Sequence, residues 1–268
     1  MHGYRVQAVS RTPPSGEAVR NVEWLVDDVT KPSDHLLRSS NQIIFCAPTV
    51  FAGTFFSRIA QAHPEPNTVR TVVFSSTSVV TKANSPDAEE RETAIALARS
   101  EKTVLKLGPA VSTTILRPTL IYGAPGDRNI EYIARRSRRI GLFPVARNGG
   151  GLRQPVHGHD LAVAALRALV TPAAVGKTYN LGGGEVLSVK EMIRRASLVN
   201  GGSVRFVSLP TGLLTDVTRL ARASGMMKWL PVGSFARITS DLVFDNGPAI
   251  ADLAYRPRRF EPPVYPAI

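Results

Sequence analysis

Short apolar runs alternate with helical patterns along the first part of the chain. The strand-like runs are residues 4–9, 22–26, 42–46, 69–74 and 111–116, and the helical patterns are residues 33–38, 50–62 and 86–107. Gly108-Pro109 ends the longest helical pattern, because neither residue favours a continuing helix. Short apolar strands separated by helices are typical of a parallel sheet covered on both faces. The sequence therefore predicts an α/β fold with a doubly wound parallel sheet.

The pattern is looser from about Gly123 onward. Ser188 and Glu191 have the spacing of a capping box, which predicts a helix start at that point. The predicted elements of this part are helices at 129–140, 159–170 and 188–199, strands at 154–157, 178–181 and 241–245, and an apolar stretch at 209–229. We expect this part to form a smaller, mixed lobe that closes over a ligand, with some elements returning to the sheet.

The start of the chain lacks two features of a nucleotide-binding Rossmann sheet. Such a sheet begins with a strand, a glycine-rich turn, a helix and a second strand. His2-Gly3 has the pattern of a helix end, and the strand at 4–9 follows at once, so residues 4–9 are predicted to be the second strand. The glycine runs at 149–151 and 182–184 do not follow an early strand, and they predict loops rather than phosphate cradles.

The expected architecture is thus a Rossmann-like sheet missing its first strand and its glycine-rich loop. Because the first strand is central in this fold, its absence parts the second strand from the fourth. Residues 4–9 should then form an edge strand or lie beside a gap. Two alternatives are open: residues upstream of Met1 belong to the working protein, or the strand at 4–9 pairs directly with the fourth strand.

The formal net charge of +12 favours anionic partners, with a basic but merely solvated surface as the alternative. Basic residues cluster only at 135–139, and no nucleic-acid-binding signature accompanies them, so no nucleic-acid partner is predicted. The single cysteine, Cys46, stands in an apolar run and is predicted to be a buried thiol. With one cysteine, no secretory signal pattern and no long apolar span, a cytoplasmic location is predicted.

Four segments carry a family resemblance through their order and spacing. They are Val72-Val73-Phe74-Ser75-Ser76-Thr77-Ser78, Leu116-Arg117-Pro118-Thr119-Leu120-Ile121-Tyr122-Gly123, Gln154-Pro155-Val156-His157-Gly158-His159-Asp160-Leu161-Ala162 and Tyr179-Asn180-Leu181-Gly182-Gly183-Gly184. Together they resemble the extended short-chain dehydrogenases/reductases, the NAD-dependent epimerase/dehydratase family typified by nucleotide-sugar epimerases. The resemblance implies an NAD(P)-binding part at 1–122 and a mainly substrate-binding lobe at 123–268.

The resemblance implies a cofactor site along the ends of the strands. The matching positions are Ser10, Arg11, Asp28, Val29, Ala47, Pro48, Ser75, Pro118 and Thr119. An acid after the second strand favours NAD, whereas an arginine accommodates the 2′-phosphate of NADP. Ser10-Arg11 stands there with no acid before Glu17, so NADP is favoured over NAD. A solvated loop arginine is the alternative for Arg11, and a simple strand end is the alternative for Pro118.

The catalytic positions match the family less well. The family uses a Ser or Thr after the fifth strand and a Tyr-x-x-x-Lys pair on the next helix, and Thr77 matches the first position. The helix at 86–107 contains no tyrosine, and Ala98 stands four residues before Lys102. A shift by one residue places Leu97 four residues before Glu101 instead. Thr77 and Lys102 are the catalytic candidates, although a solvated helix lysine is the preferred interpretation of Lys102.

In the second lobe, Arg153 matches an arginine that contacts the substrate diphosphate in sugar-nucleotide epimerases, with a surface arginine as the alternative. His157 and His159 are predicted to pack or to cap a helix, and no metal site is predicted. The implied function is nicotinamide hydride exchange on a nucleotide sugar in polysaccharide metabolism. A non-catalytic NAD(P)-binding or regulatory protein is the alternative. A lipid-linked sugar substrate, contact with a membrane surface and a homodimer are weaker hypotheses.

Overall fold

The computed structural model describes residues 5–12, 21–66, 69–123, 127, 130–139, 141–146, 151–210 and 240–265. The central sheet has four parallel strands in the order β10–β5–β4–β3. These strands are β3 (Gln42–Phe45), β4 (Val69–Phe74), β5 (Val111–Pro118) and β10 (Thr178–Leu181). The predicted α/β fold with a parallel, Rossmann-like sheet is confirmed.

Alternate residues of β4 and β5 belong to two separate cores. Val72 and Leu116 pack with α6 (Gly158–Val170), whereas Val73 and Ile115 pack with α2 (Ala52–Ala62). Successive strand residues point to opposite faces of a sheet, so helices cover both faces. Gly53 of α2 lies so close to α4 (Ala88–Leu105) that a Cβ there would meet Thr103 at 3.3 Å.

The strands β1 (Val6–Ser10) and β2 (Val22–Val26) form a separate two-stranded parallel sheet. Val9 and Leu25 pack against the same core as Ile43 of β3. Within the described residues, no strand pairs with the second edge of β1 or with that of β3. The prediction that the first strand lies at an edge is confirmed, and the alternative that it pairs directly with β3 is wrong.

The rest of the chain forms short strand pairs and helices around the end of the sheet. Parallel pairs join β6 (Ile121–Tyr122) to β9 (Val156–His157) and β7 (Leu142–Ala146) to β12 (Arg205–Leu209), and an antiparallel pair joins β8 (Leu152–Arg153) to β11 (Leu187–Ser188). The remaining helices are α1 (Asp34–Arg38), α3 (Ser78–Thr81), α5 (Ile130–Arg139), α7 (Val189–Val199) and α8 (Gly247–Leu253). As predicted, Ser188 caps α7 by accepting a hydrogen bond from the Glu191 N–H at 3.2 Å.

Two predictions need correction. Residues 241–245 form no strand, because their only strand-like contact with the described residues is one bridge between Leu242 and Arg153, and the chain then enters α8. Cys46 is exposed rather than buried, because it follows β3, the outermost strand of the central sheet. The strands β7 and β12 and the helix α8 were not predicted. Most of the apolar stretch at 209–229 lies outside the described residues.

Within the described part of the chain, no helix has both the length and the apolar character needed to cross a membrane.

Candidate functional site

The carboxyl ends of β4, β5 and β10 meet at one edge of the sheet. Thr77, three residues past the end of β4, donates both its N–H (3.2 Å) and its Oγ1–H (3.1 Å) to the Pro118 carbonyl at the end of β5. Thr119 in turn donates its N–H to Leu181 at the end of β10, at 3.0 Å. The structure therefore brings the predicted residues Thr77, Pro118 and Thr119 together, and backbone acceptors fix their positions.

Ser75 lies beside this group with an unused hydroxyl. Its N–H donates to the Leu116 carbonyl at 2.7 Å, which holds its backbone against β5. Ser75 is 9% exposed as a residue, and its buried Oγ has no hydrogen-bond partner. An unpaired buried hydroxyl costs about 1–3 kcal/mol. A bound molecule with a hydrogen-bonding group at this edge would recover that cost.

The ends of β1 and β2 bring Arg11 and Asp28 together. Asp28 accepts hydrogen bonds from the N–H and Oγ1–H of Thr30, both at 2.8 Å. These bonds, together with the positive charges of Arg11 and Lys31, hold the pKa of Asp28 below its ordinary value. Arg11 is exposed, and the Ser10 hydroxyl is bonded to the backbone of Thr12. Among the predicted cofactor residues here, only Arg11 presents a free charged group.

Val29 and Ala47 pack into the core below the strand ends, and Pro48 is exposed where the chain enters the turn before α2. Thr49 then bonds the Phe74 carbonyl through its Oγ1 at 2.9 Å. Its own carbonyl accepts from the hydroxyl of Ser100 on α4. The ends of β3 and β4 are thereby fixed to α4. Cys46 is exposed as a residue, but protein atoms packed around its sulfur partly desolvate the thiol and raise its pKa, which disfavours the reactive thiolate form.

An ion pair between Glu101 and Arg117 sets the rotation of α4 over the sheet. Arg117 donates Nε to Glu101 Oε1 at 2.9 Å and Nη2 to Oε2. Leu97, one turn before Glu101, lies on the same face and is half-buried. Lys102 is rotated by about 100° from Glu101 and is exposed. The structure does not bring Lys102 together with Thr77.

A second ion pair, not predicted from the sequence, lies at the start of α4. Glu90 is 3% exposed and accepts a hydrogen bond from the Ser85 hydroxyl at 2.7 Å. The Lys82 ammonium, at the end of α3, is 3.7 Å from the other Glu90 oxygen. α3 follows Thr77 directly, so these charged groups flank the site. No sequence signal marks them, because Glu90 stands in a run of four charged residues of which the others are not buried.

Arg153 is 8% exposed and donates Nη1 to the carbonyls of Leu152 and Ser240, both at 2.7 Å. Its guanidinium thus orders the end of β8. The glycines at 182–184, for which a turn was predicted, form an irregular segment with a bend at Gly184 that packs closely on this region. A Cβ on Gly183 would lie 1.8 Å from the Pro155 carbonyl oxygen. Tight backbone contacts therefore explain Gly183 and Gly184, and a close contact with the Gln154 side chain explains Gly182.

His157 caps α6, as predicted, by accepting the His159 N–H at its Nδ1, at 3.0 Å. Desolvation and the charge of Arg258 lower the pKa of His157, which favours the neutral ring that this cap requires. In the described part of the chain, no group of three or more His, Cys, Asp and Glu side chains could hold a metal ion.

No family model matches the chain. Among solved structures, it is similar to MoeE5 in complex with UDP-glucose and NAD, with a TM-score of 0.67 and 20% identity over 96% of this chain and 87% of the other. It is also similar to the UDP-glucuronic acid 4-epimerase of Bacillus cereus in complex with NAD, with a TM-score of 0.62 and 14% identity over 89% and 76% of the two chains. A short-chain dehydrogenase/reductase of Agrobacterium tumefaciens with bound NAD gives a TM-score of 0.66.

Two curated proteins share sequence with part of the chain. A mitochondrial NADH dehydrogenase [ubiquinone] 1 alpha subcomplex subunit 9 of Arabidopsis thaliana is 32% identical over 116 residues, which are 43% of this chain and 28% of that protein. The UDP-glucose 4-epimerase of Erwinia amylovora is 34% identical over 90 residues, which are 30% of this chain and 27% of that enzyme. The matched segments span less than a third of either relative.

The chain therefore has the fold of the NAD-dependent epimerases and the extended short-chain dehydrogenases/reductases. The resemblance drawn from the four sequence segments is confirmed at the level of the fold.

Proposed function

We propose that the protein binds a nicotinamide dinucleotide and a nucleotide sugar at the carboxyl edge of its sheet, and that it acts by hydride exchange between them. The observation that carries this proposal is the group of Ser75, Thr77, Pro118 and Thr119 at the ends of neighbouring parallel strands. Ligands of open α/β sheets bind outside the carboxyl ends of the strands. The unpaired hydroxyl of Ser75 supplies a polar contact at that place.

The described residues fit the two ends of the cofactor better than its middle. Ser75 and Pro118 would contact the nicotinamide, and Arg11 and Asp28 would contact the adenosine. Arg11 carries the proposed preference for NADP, since its exposed guanidinium suits a 2′-phosphate. The described residues offer no glycine-rich turn after β1, β2 or β3 to hold the pyrophosphate. We therefore expect weak dinucleotide binding.

The nicotinamide, when bound, accepts or returns the hydride, and the protein positions the substrate and handles the proton. Thr77 has its hydroxyl proton directed to the Pro118 carbonyl, so its oxygen is left to accept a hydrogen bond from a substrate hydroxyl. Arg153 is the proposed contact for the substrate diphosphate, as the family resemblance implies. Polysaccharide metabolism and a cytoplasmic location remain part of this proposal.

A non-catalytic binding or regulatory role is the second candidate, and the rotation of α4 favours it. The Glu101–Arg117 pair turns Leu97 toward the sheet, and the position one turn earlier is Thr93 or Ala94. None of these side chains transfers a proton near neutral pH. Turnover therefore separates the two candidates, whereas both require ligand binding.

The first experiment is saturation-transfer NMR of the purified chain with NADPH, NADH and UDP-glucose, since this method detects weak binding. Ser75→Ala should weaken dinucleotide binding by about ten-fold, measured through the nicotinamide signals, because the site loses one buried hydrogen bond. The substitution should not lower Tm. Ser76→Ala is the matched control. No transfer from either dinucleotide, or equal losses in the two variants, would count against the proposed site.

A further inference from the structure

A surface crevice lies outside the sheet edge described above, between α6 and the segment that follows α8. Its volume is about 170 Å³. Seven residues line it: His159, Asp160, Val163, Ala164, Arg167, Tyr255 and Arg256. The volume is several times the roughly 30 Å³ that a water molecule takes up in the liquid, so a small organic ion fits.

The one carboxylate in the crevice wall is already fully engaged. Asp160 accepts hydrogen bonds from the backbone N–H of Arg258 at 2.9 Å and from its Nε at 3.0 Å. Its Oδ1 also lies 2.8 Å from Nη2 of the same guanidinium. Burial raises the pKa of Asp160, but the bonds from Arg258 outweigh this effect and lower it. Asp160 therefore remains charged and paired, and it offers no free acceptor to a ligand.

The same arginine fixes the tautomer of His159. Arg258 Nη2 lies 3.0 Å from Nδ1 of His159. A guanidinium can only donate hydrogen bonds, so this Nδ1 must accept. The neutral ring then carries its proton on Nε2. His159 is exposed and presents an N–H donor at the crevice.

Two further donors carry charge with no carboxylate partner among the described residues. Arg167 donates Nη1 to the carbonyls of Leu253 and Ala254 at the end of α8, which orients its guanidinium and leaves its other nitrogens free. Arg256 is exposed and has no hydrogen-bond partner in the described part of the chain. The crevice thus combines two uncompensated positive charges with one neutral N–H donor.

We propose that this crevice binds a small phosphate monoester. Arginine guanidinium groups match phosphate oxygens in charge and geometry, and the N–H of His159 supplies a further donor. Val163, Ala164 and the ring of Tyr255 form an apolar floor for the organic part of the ligand. The Tyr255 hydroxyl donates to the Gly182 carbonyl at 2.9 Å, which holds the ring in place.

The test is calorimetry and ³¹P NMR with inorganic phosphate and phenyl phosphate at constant ionic strength. We expect saturable binding, tighter for phenyl phosphate because its ring covers the apolar floor. Arg256→Gln should weaken that binding by about ten-fold or more, the scale of one charge-assisted contact. Arg259→Gln is the matched control. It removes the same charge three residues away, from a side chain that is 78% exposed and outside the crevice.

The histidine gives an independent measurement. His159→Gln keeps an N–H donor and should retain most of the affinity, whereas His159→Phe should lose it. Absence of saturable binding would overturn the proposal. Equal losses in Arg256→Gln and Arg259→Gln would overturn it as well, since they would indicate attraction by net charge alone. If benzoate bound as tightly as phenyl phosphate, the crevice would not be specific for phosphate. If phenol bound as tightly as phenyl phosphate, the crevice would be only an apolar pocket.

Discussion

Arg117 of β5 and Glu101 of α4 form a two-point ion pair, with Nε bonded to Oε1 at 2.9 Å and Nη2 bonded to Oε2. The Glu101 side chain is 4% exposed and that of Arg117 is 21% exposed. Because both hydrogen bonds must align, the pair fixes the helix in rotation as well as in position. This contact, with the Ser100–Thr49 bond, determines which residues α4 presents to the sheet edge.

Glu101→Gln should destabilise the fold, because it leaves the Arg117 guanidinium largely buried without a counter-charge. Breaking a buried pair in this way costs about 3–5 kcal/mol, and the partial exposure of Arg117 places the expected loss near the lower figure. Urea denaturation followed by circular dichroism measures it. Glu92→Gln, on an exposed position of the same helix, should change the unfolding free energy by less than about 0.5 kcal/mol. Similar losses in both variants would show that the pair contributes nothing specific.

The sequence predicted the sheet well, because short apolar runs and helix caps are local signals. β2, β4 and β10 have the predicted bounds, and Ser188 caps α7 as its spacing indicated. The strand predictions fail where contacts with residues distant in the sequence determine whether a strand forms. Residues 241–245 contain a short apolar run, as a strand often does, but the described part of the chain gives them only one bridging partner.

The candidate site was predicted in part. Thr77, Pro118 and Thr119 were chosen from the family resemblance, and the structure brings them together because strand ends meet at one edge of a parallel sheet. The Glu101–Arg117 pair was not predicted, since a charged helix residue has the same pattern whether it faces solvent or an arginine sixteen positions away. The same ambiguity applied to Lys102, which the structure leaves on the exposed side of α4.

The Glu185 carboxylate should make stability depend on pH. It accepts hydrogen bonds from both terminal nitrogens of Arg195 at 2.9 Å and from the Phe260 N–H at 3.2 Å. The bonds from Arg195 lower its pKa below the ordinary value of 4.5. A carboxyl with a lower pKa in the folded state stabilises that state at higher pH, and the contribution is lost as pH falls through the folded pKa.

The wild-type protein should therefore be more stable than Glu185→Gln at neutral pH, and the difference should shrink as the pH falls below about 4.5. Thermal unfolding of both proteins from pH 7 to pH 3 measures this. A difference that does not change with pH would show that the effect of the substitution is not electrostatic.

The small sheet of β1 and β2 should open more easily than the central sheet. Isolated two-stranded sheets are marginal in water, and the described residues provide no third strand on either side. Native-state hydrogen exchange should show amides of β1 and β2 exchanging at least ten-fold faster than those of β4. Such a difference is expected for a unit that opens by itself. Equal protection of the two sheets would contradict this expectation.

Arg11→Ala should weaken NADPH binding by about ten-fold and NADH binding by less than about three-fold. Only NADPH carries the 2′-phosphate that a guanidinium would bond. Parallel NMR titrations with the two dinucleotides measure the ratio. Arg5→Ala is the control, because Arg5 is an exposed arginine at the other end of β1 and is paired with Glu23 at 3.0 Å. Equal losses for the two dinucleotides would show that Arg11 does not select NADP.

Thr77→Val tests the chemistry directly. The substitution keeps the shape of the side chain and removes the hydroxyl that donates to the Pro118 carbonyl. That carbonyl still accepts the backbone N–H of residue 77, so the fold should lose only about 1 kcal/mol. Thr114→Val is the stability control, because its hydroxyl makes a comparable bond to the Ala174 carbonyl away from the edge.

If the protein turns over a nucleotide sugar, Thr77→Val should abolish most of that turnover, because no tyrosine stands on α4 to share the proton transfer. General acid–base groups contribute about 10²–10⁴-fold to rates, so the wild-type rate should itself be low. Nicotinamide absorbance and NMR of UDP-glucose and UDP-glucuronic acid would measure it. Unchanged turnover in Thr77→Val would remove Thr77 from the mechanism. Inactivity of the wild-type protein that nevertheless binds both ligands would favour the non-catalytic role, which the Leu97 position on α4 already supports.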